Sequence, residues 1–185
     1  MKVKFKASEY MEITLRIKTF LLSLCALFLI QTVILNDVAI ARNLDSQLTA
    51  RIVSSLVQYL KWKERDYKNN VTICTLGLDG VGNAIQRLGL SNIKVINQPD
   101  LSALVGCHIV YISITEQENL SELLWKIKQY QIVSVSQMPG FVEAGGTIQI
   151  MTEVNKLSFK VNVTTAKNAK VVIDPDLMND AGIVQ

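Results

Sequence analysis

The sequence predicts an α/β domain: a mixed sheet of about six strands, mostly parallel, with an antiparallel C-terminal hairpin and helices on its flanks. Two observations support this prediction. Between residues 71 and 136 the expected order is strand, helix, strand, strand, helix, strand, which is typical of parallel sheets with right-handed crossovers. Residues 147–154 and 156–163 then alternate strictly between apolar and polar side chains, as the strands of a hairpin with one buried face do.

The first element of the domain is an amphipathic helix over residues 44–62. Apolar side chains recur there at steps of three and four residues, and either Asp45 or Ser46 can cap the amino end. The apolar positions are Leu48, Ile52, Leu56, Tyr59 and Leu60. The charged stretch over residues 61–70 ends in two asparagines and predicts a turn after this helix.

Four strands and two helices follow. The strands are predicted over residues 71–77, 93–96, 107–113 and 132–136, and the helices over residues 79–90 and 116–130. The third strand is nearly continuous in apolar residues, as expected of a strand covered on both faces. Residues 165–178 predict one or two short helices, interrupted at Pro175.

The N-terminal segment has the three parts of a secretory signal peptide. Five basic residues precede an almost unbroken apolar run from Phe20 to Ile30, and residues 39–41 offer the small-x-small pattern of a signal-peptidase site. We therefore expect a signal peptide over residues 1–41 and a single domain over residues 42–185. The alternative is an uncleaved membrane anchor.

Composition excludes several classes of function for the domain. Without the leader, 144 of the 185 residues remain, with 14 of the 19 basic and 13 of the 16 acidic side chains. This near-neutral balance gives no electrostatic reason to expect nucleic-acid binding. One histidine cannot supply several imidazole ligands, and three cysteines, of which Cys25 lies in the leader, cannot form a four-thiolate zinc site. We expect no metal and no cofactor.

The sequence also contains no arrangement typical of an enzyme. Cys107 and His108 are adjacent, so on a strand they point to opposite faces and are poorly placed as a nucleophile and its base. A G-x-S-x-G nucleophile elbow is absent from the sequence. We therefore expect His108 to be structural and the protein not to be an enzyme.

Glycines over residues 77–82 lie between a strand and a helix, where a phosphate-binding loop would be found. The segment is neither G-x-G-x-x-G nor a P-loop, because it lacks the Lys-Ser/Thr pair. We expect these glycines to allow a tight turn above the sheet, with a phosphate loop as the alternative.

Cys74 and Cys107 are candidates for a disulfide. They lie in the first and third predicted strands, which a doubly wound order allows to be neighbours, and thiols in an export compartment tend to oxidise. The alternative is a pair of buried thiols that behave as small apolar side chains.

Met138, Pro139, Gly140 and Phe141 are candidates for a loop that contacts a partner or ligand. They lie in a glycine-rich loop between the fourth strand and the hairpin. Met138 and Phe141 either project as anchors or fold back onto the core, and the pattern leaves both arrangements open.

Four segments in order resemble the YfiR family. They are Ile73–Gly77, Cys107–Ser113, Val133–Ser136 with Pro139–Phe141 and the Gly145-Gly146 pair, and Asn155–Asn162. The resemblance extends over about residues 47–180. Two features differ: no cysteine follows Cys107, and the first helix ends in Leu60-Lys61-Trp62-Lys63 without the proline of the family.

The resemblance implies a Rossmann-like α/β domain in the periplasm of Gram-negative bacteria, without catalysis of its own. Members of the family repress an inner-membrane diguanylate cyclase by binding its periplasmic part, which lowers cyclic-di-GMP and biofilm formation. Capture by an outer-membrane lipoprotein and the redox state are associated with release. Whether this chain forms a homodimer stays open.

Our leading interpretation is therefore a periplasmic repressor of a membrane diguanylate cyclase. The alternative is a periplasmic small-molecule-binding component of a transport or sensing system, which would use the glycine loop and the crevice at the carboxyl ends of the strands. A secreted hydrolase comes third.

Overall fold

The fold is described from a computed structural model, which covers residues 16, 18, 20, 21, 45–62, 70–153, 156–179 and 181–184. The chain divides into two compact units, Met1–Asn43 and Leu44–Gln185. The described residues of the first unit are helical. Most of the predicted leader, its cleavage motif, residues 63–69 and the hairpin turn at Asn155 lie outside the described residues. Among the residues described, no helix is both long and apolar enough to cross a membrane.

Helix α1, residues 45–56, packs one face into the core through Ala50, Val53 and Leu56. The prediction that this helix continues to residue 62 is wrong. A 3-10 turn over Val57–Tyr59 follows instead, and Leu60–Trp62 is extended as strand β1.

Strand β1 exists because a distant segment pairs with it. Leu60, Lys61 and Trp62 lie antiparallel to strand β8, Val171–Ile173, and the amide of Asp174 donates to the carbonyl of Tyr59 at 2.8 Å. These ladder hydrogen bonds replace the helical ones that the local apolar spacing favours. The pair forms a separate two-stranded sheet.

The main sheet has seven strands rather than about six, in the order β3-β2-β4-β5-β6-β7-β9. The strands are β2 Val71–Leu76, β3 Ile93–Asn97, β4 Ile109–Ile112, β5 Val133–Ser136, β6 Ile148–Glu153, β7 Lys156–Asn162 and β9 Ala181–Val184. The first five in this order are parallel, β7 is antiparallel to β6, and β9 is parallel to β7. The mixed, mostly parallel sheet with a C-terminal hairpin is confirmed.

Four further helices connect or follow the strands: α2 Val81–Arg87, α3 Leu120–Tyr130, α4 Val163–Asn168 and α5 Pro175–Asn179. The residues before α3, Ile114–Asn119, form a 3-10 helix, whereas the sequence predicted one helix that runs from residue 116 to residue 130. The tail differs from the prediction because it adds strands β8 and β9 to its two short helices. Pro175 begins α5 instead of interrupting a helix, since a proline is tolerated at the first helical position.

The strands separate two apolar cores, because successive residues point to opposite faces of a sheet. In β4, Ile109 and Tyr111 belong to the core that includes α1 and α2, whereas Val110 and Ile112 belong to the core that includes α3. The side chains of α3 in that second core are Leu123, Leu124 and Ile127. Both faces of the central strand are therefore covered, as its apolar sequence predicted.

Candidate functional site

The carboxyl ends of β2, β4 and β5 meet at one edge of the sheet, where α/β proteins commonly bind their ligands. Three loops define this edge: residues 77–80 after β2, residues 113–119 after β4, and residues 137–147 after β5. We call it the carboxyl edge. The predicted glycine loop and the predicted partner loop both lie there.

A chain of hydrogen bonds joins these loops to α1 beneath the surface. The hydroxyl of Tyr111 donates to Oδ2 of Asp79 at 2.8 Å and lies 3.4 Å from Oε1 of Gln137. Thr49 of α1 donates to the same Gln137 oxygen at 3.2 Å. The polar groups at the centre of this edge are therefore engaged with one another.

The environment of Tyr111 keeps its hydroxyl protonated. The residue is 2% exposed, and burial raises the pKa of Tyr111 well above its usual value, with a further contribution from the negative charge of Asp79. With its pKa raised, the phenol stays protonated at neutral pH and donates its hydrogen bond to Asp79.

The glycine loop forms the tight turn between β2 and α2 that the sequence predicts. Gly77 has φ of +104°, and a side chain there would collide with Ser113 and Thr115 of the neighbouring loop. The carboxylate of Asp79 accepts from the amide of Val81 at 3.1 Å, so a negative charge already lies at the start of α2. An incoming phosphate would be repelled by that carboxylate.

The predicted partner loop, residues 138–141, is held in place by Met138 and Phe141, the two side chains whose exposure the sequence left open. Met138 is 2% exposed and Phe141 is fully buried, so neither projects into solvent as an anchor. Phe141 packs against the backbone at Gly146, and its amide donates to Oε1 of Gln149 at 3.1 Å. The loop meets solvent through Pro139 and Gly140.

Two apolar side chains that sequence reasoning missed are exposed at the carboxyl edge. Leu78 is 86% exposed and Ile114 is 57% exposed. Their loops touch, because the amide of Leu78 donates to Oγ1 of Thr115 at 3.1 Å. We call these two residues the edge patch. The sequence did contain a signal for the exposure of Leu78. This leucine lies in a Gly-Leu-Asp-Gly turn, and such a turn requires no apolar side chain at that position.

The two candidate cysteines are joined. A disulfide links Cys74 of β2 to Cys107, which lies just before β4, with their Cα atoms 5.8 Å apart. Both residues are buried in the core that contains α3. The adjacency of β2 and β4, which the sequence reasoning assumed, is present in the sheet.

His108 points to the opposite face of the sheet from Cys107, and its imidazole makes contacts within the fold. The amide of Thr72 donates to Nδ1 of His108 at 2.8 Å, and the imidazole meets the edge of the Trp62 ring at 6.2 Å between centroids. The bond occupies one of the two ring nitrogens of His108. Within the part of the chain that the structure describes, no group of three or more His, Cys, Asp or Glu side chains could hold a metal ion.

Comparison with protein families gives one match over most of the chain. Residues 46–181 match the model of a family described as YfiR/HmsC-like. No curated protein matches the sequence.

Solved structures share the fold at low sequence identity. A conserved domain protein from Vibrio cholerae O1 biovar El Tor is 10% identical with a TM-score of 0.55, over 76% of this chain and 60% of that chain. The ABC domain in complex with L-Trp from Streptococcus pneumoniae is 11% identical with a TM-score of 0.51, over 76% and 60% of the two chains.

A third structure is a ligand-free, open substrate-binding protein with adhesive properties from Clostridium difficile, which is 12% identical with a TM-score of 0.50 over 62% and 54% of the two chains. The present chain thus spans 60% of the length of the first two structures. These likenesses concern the α/β fold alone.

Proposed function

The chain belongs to the YfiR/HmsC-like family, and from this premise we propose that it is a periplasmic protein that represses an inner-membrane diguanylate cyclase by direct contact. Repression lowers cyclic-di-GMP and with it biofilm formation. The observation that carries this proposal is the family match over residues 46–181, which takes in nearly all of the expected mature domain.

The chemistry of the carboxyl edge supports a contact role. Asp79, Tyr111 and Gln137 bond to one another, so they are not poised to activate a substrate. The exposed side chains of the edge patch, Leu78 and Ile114, are apolar and gain free energy when a partner covers them. We propose that the edge patch, next to the exposed tip at Pro139 and Gly140, contacts the periplasmic region of the cyclase.

Release of the cyclase completes the proposed function. An outer-membrane lipoprotein that binds this chain would remove it from the cyclase and restore cyclic-di-GMP synthesis. The Cys74–Cys107 bond is the candidate for any redox dependence, because no cysteine follows it in the sequence.

The alternative function, a periplasmic small-molecule-binding component, has less support at the crevice on which it was based. The Asp79 carboxylate and its bond to Tyr111 lie where the glycine loop would hold an anionic ligand.

Direct binding tests the proposal. The mature chain is immobilised, and the soluble periplasmic region of a diguanylate cyclase encoded beside it is passed over the surface. We expect saturable binding by the native chain. We expect the double variant Leu78→Ser/Ile114→Ser to weaken it by about tenfold or more, the effect of losing interface anchors.

Val105→Ser is the matched control. Val105 is 67% exposed and lies in the 3-10 turn Ala103–Gly106, which precedes β4 at the other end of that strand. Its substitution should leave binding unchanged. Thermal melts of all variants confirm folding. No binding by the native chain would contradict the proposed function, and equal binding by the double variant would contradict the proposed face.

A further inference from the structure

A groove of about 630 Å³ lies at the opposite end of the sheet from the edge patch. One wall is the end of α1 and the turn after it, and the other runs from the end of α2 to the start of β3, up to Ile93. The volume is in the range of small-molecule sites. The groove shares no residue with the carboxyl edge.

The groove contains a buried polar group without a partner. Ser54 of α1 lines it and is 8% exposed, and its hydroxyl has no hydrogen-bond partner among the described residues. A buried hydroxyl without a partner costs free energy, and native structures rarely retain one without a reason. The adjacent Ser55 differs, because its hydroxyl donates to the carbonyl of Ile52 at 2.7 Å.

The charge of the groove is positive. Arg51 and Lys61 line it, and none of its lining residues is acidic. Lys61 is paired with Asp174 at 2.6 Å, which leaves Arg51 as the uncompensated cation among the lining residues. The guanidinium of Arg51 makes no hydrogen bond or ion pair with the described part of the chain. Its planar fork matches a carboxylate.

The apolar part of the lining is formed by Val57, Leu60, Leu88, Leu90 and Ile93, and the polar side chains of Gln58 and Asn92 complete it. Leu90 is 41% exposed, so an apolar ligand would cover it as it entered. The unpaired charge of Arg51, the unpartnered hydroxyl of Ser54 and the apolar wall together favour a ligand that has one negative charge and a hydrocarbon portion.

We propose that this groove binds a small amphipathic monocarboxylate. The carboxylate lies against Arg51 and accepts a hydrogen bond from the Ser54 hydroxyl, and the hydrocarbon portion packs against Leu90 and the other apolar walls. A single negative charge suits the groove because Asp174 already neutralises Lys61. The inference stands apart from the proposed repression of a cyclase, and binding to the isolated chain tests it.

Titration calorimetry of the mature chain with octanoate tests the site. A ligand of about ten heavy atoms with ordinary efficiency should bind with Kd of about 1 mM or tighter. Octanamide, which has the same shape without the charge, should bind about tenfold more weakly because it loses the charge-assisted bonds to Arg51.

Two pairs of variants locate the ligand. Arg51→Gln should weaken octanoate binding about tenfold. The same change at Arg87, which is exposed on α2 and does not line the groove, should leave octanoate binding unchanged. Ser54→Ala should weaken binding several-fold, since it removes a donor to the carboxylate, without lowering the stability of the free chain. Ser55→Ala should leave octanoate binding unchanged.

The opposite results would overturn the proposal. They are an absence of saturable octanoate binding to the native chain, equal binding of octanamide, or native affinity in Arg51→Gln. Thermal melts of each variant show whether it is folded before binding is compared.

Discussion

Replacing Cys74 and Cys107 together by alanine removes the covalent link between β2 and the segment before β4. The two cysteines are 33 positions apart, so the bond closes a loop of 34 residues counted inclusively. The chain-entropy relation gives about 13 cal/mol/K for such a loop, or about 3.8 kcal/mol at 25 °C. Because both residues are buried, truncation to alanine also removes packing worth about 1 kcal/mol for each sulfur.

Three samples separate these contributions in urea denaturation: the oxidised native chain, the native chain under reductant, and the double alanine variant. The reduced chain should lose about 3–4 kcal/mol of unfolding free energy, because buried thiols behave as small apolar groups. The double variant should lose about 2 kcal/mol more. For a domain of this size the first loss corresponds to about 12 °C in Tm. A reduced chain within about 1 kcal/mol of the oxidised one would refute the reasoning.

Two further substitutions, Tyr111→Phe and Gly82→Ala, test the hydrogen bonds at the carboxyl edge and the packing of α2 against the sheet. Tyr111→Phe removes the donor to Asp79 and should cost about 1–2 kcal/mol in urea denaturation. Burial raises the pKa of Tyr111, so the free energy of unfolding should fall above about pH 10, where the phenol of the unfolded chain ionises. Tyr111→Phe should make this decline with pH less steep. The same decline in the variant as in the native chain would contradict the role of Tyr111. Gly82→Ala would push a methyl group into the side chains of Asn97 and Thr75 and should cost about 1–3 kcal/mol. Gly106→Ala is the control, because a methyl group there would have nothing within 4 Å, and it should cost less than half as much. Equal losses at the two glycines would refute the close packing.

The central sheet could be predicted from the sequence because its strands carry their own signals. Strands β2 to β5 are apolar runs separated by glycines or helices, and the hairpin of β6 and β7 alternates strictly. The adjacency of β2 and β4, which the sequence allowed, places Cys74 beside Cys107.

Strands β1, β8 and β9 could not be predicted in the same way. Leu60–Trp62 continues the apolar spacing of α1, and only its pairing with Val171–Ile173, more than a hundred residues later, makes it extended. A three-residue strand is too short to show a period of two. The extended conformation of β1 therefore depends on its tertiary pairing with β8 and not on its local sequence.

The candidate site was predicted in part. The sequence indicated a glycine loop after β2 and a loop containing Met138 and Phe141 after β5, and the parallel sheet brings both to the carboxyl edge. Which apolar side chains face solvent there depends on packing. Phe141 is buried because Gly146 leaves room for its ring, while Leu78 lies at a turn tip and is 86% exposed.

The cellular concentration of cyclic-di-GMP tests most directly the central claim, that the protein represses a diguanylate cyclase by contact. It is compared in cells with the gene, in cells without it, and in cells complemented with the native chain or with Leu78→Ser/Ile114→Ser. Repression by contact predicts that deletion raises cyclic-di-GMP, that the native chain restores the low level, and that the edge-patch variant, exported in equal amount, does not. An unchanged cyclic-di-GMP level after deletion, in cells that contain the cyclase, would contradict the proposed function.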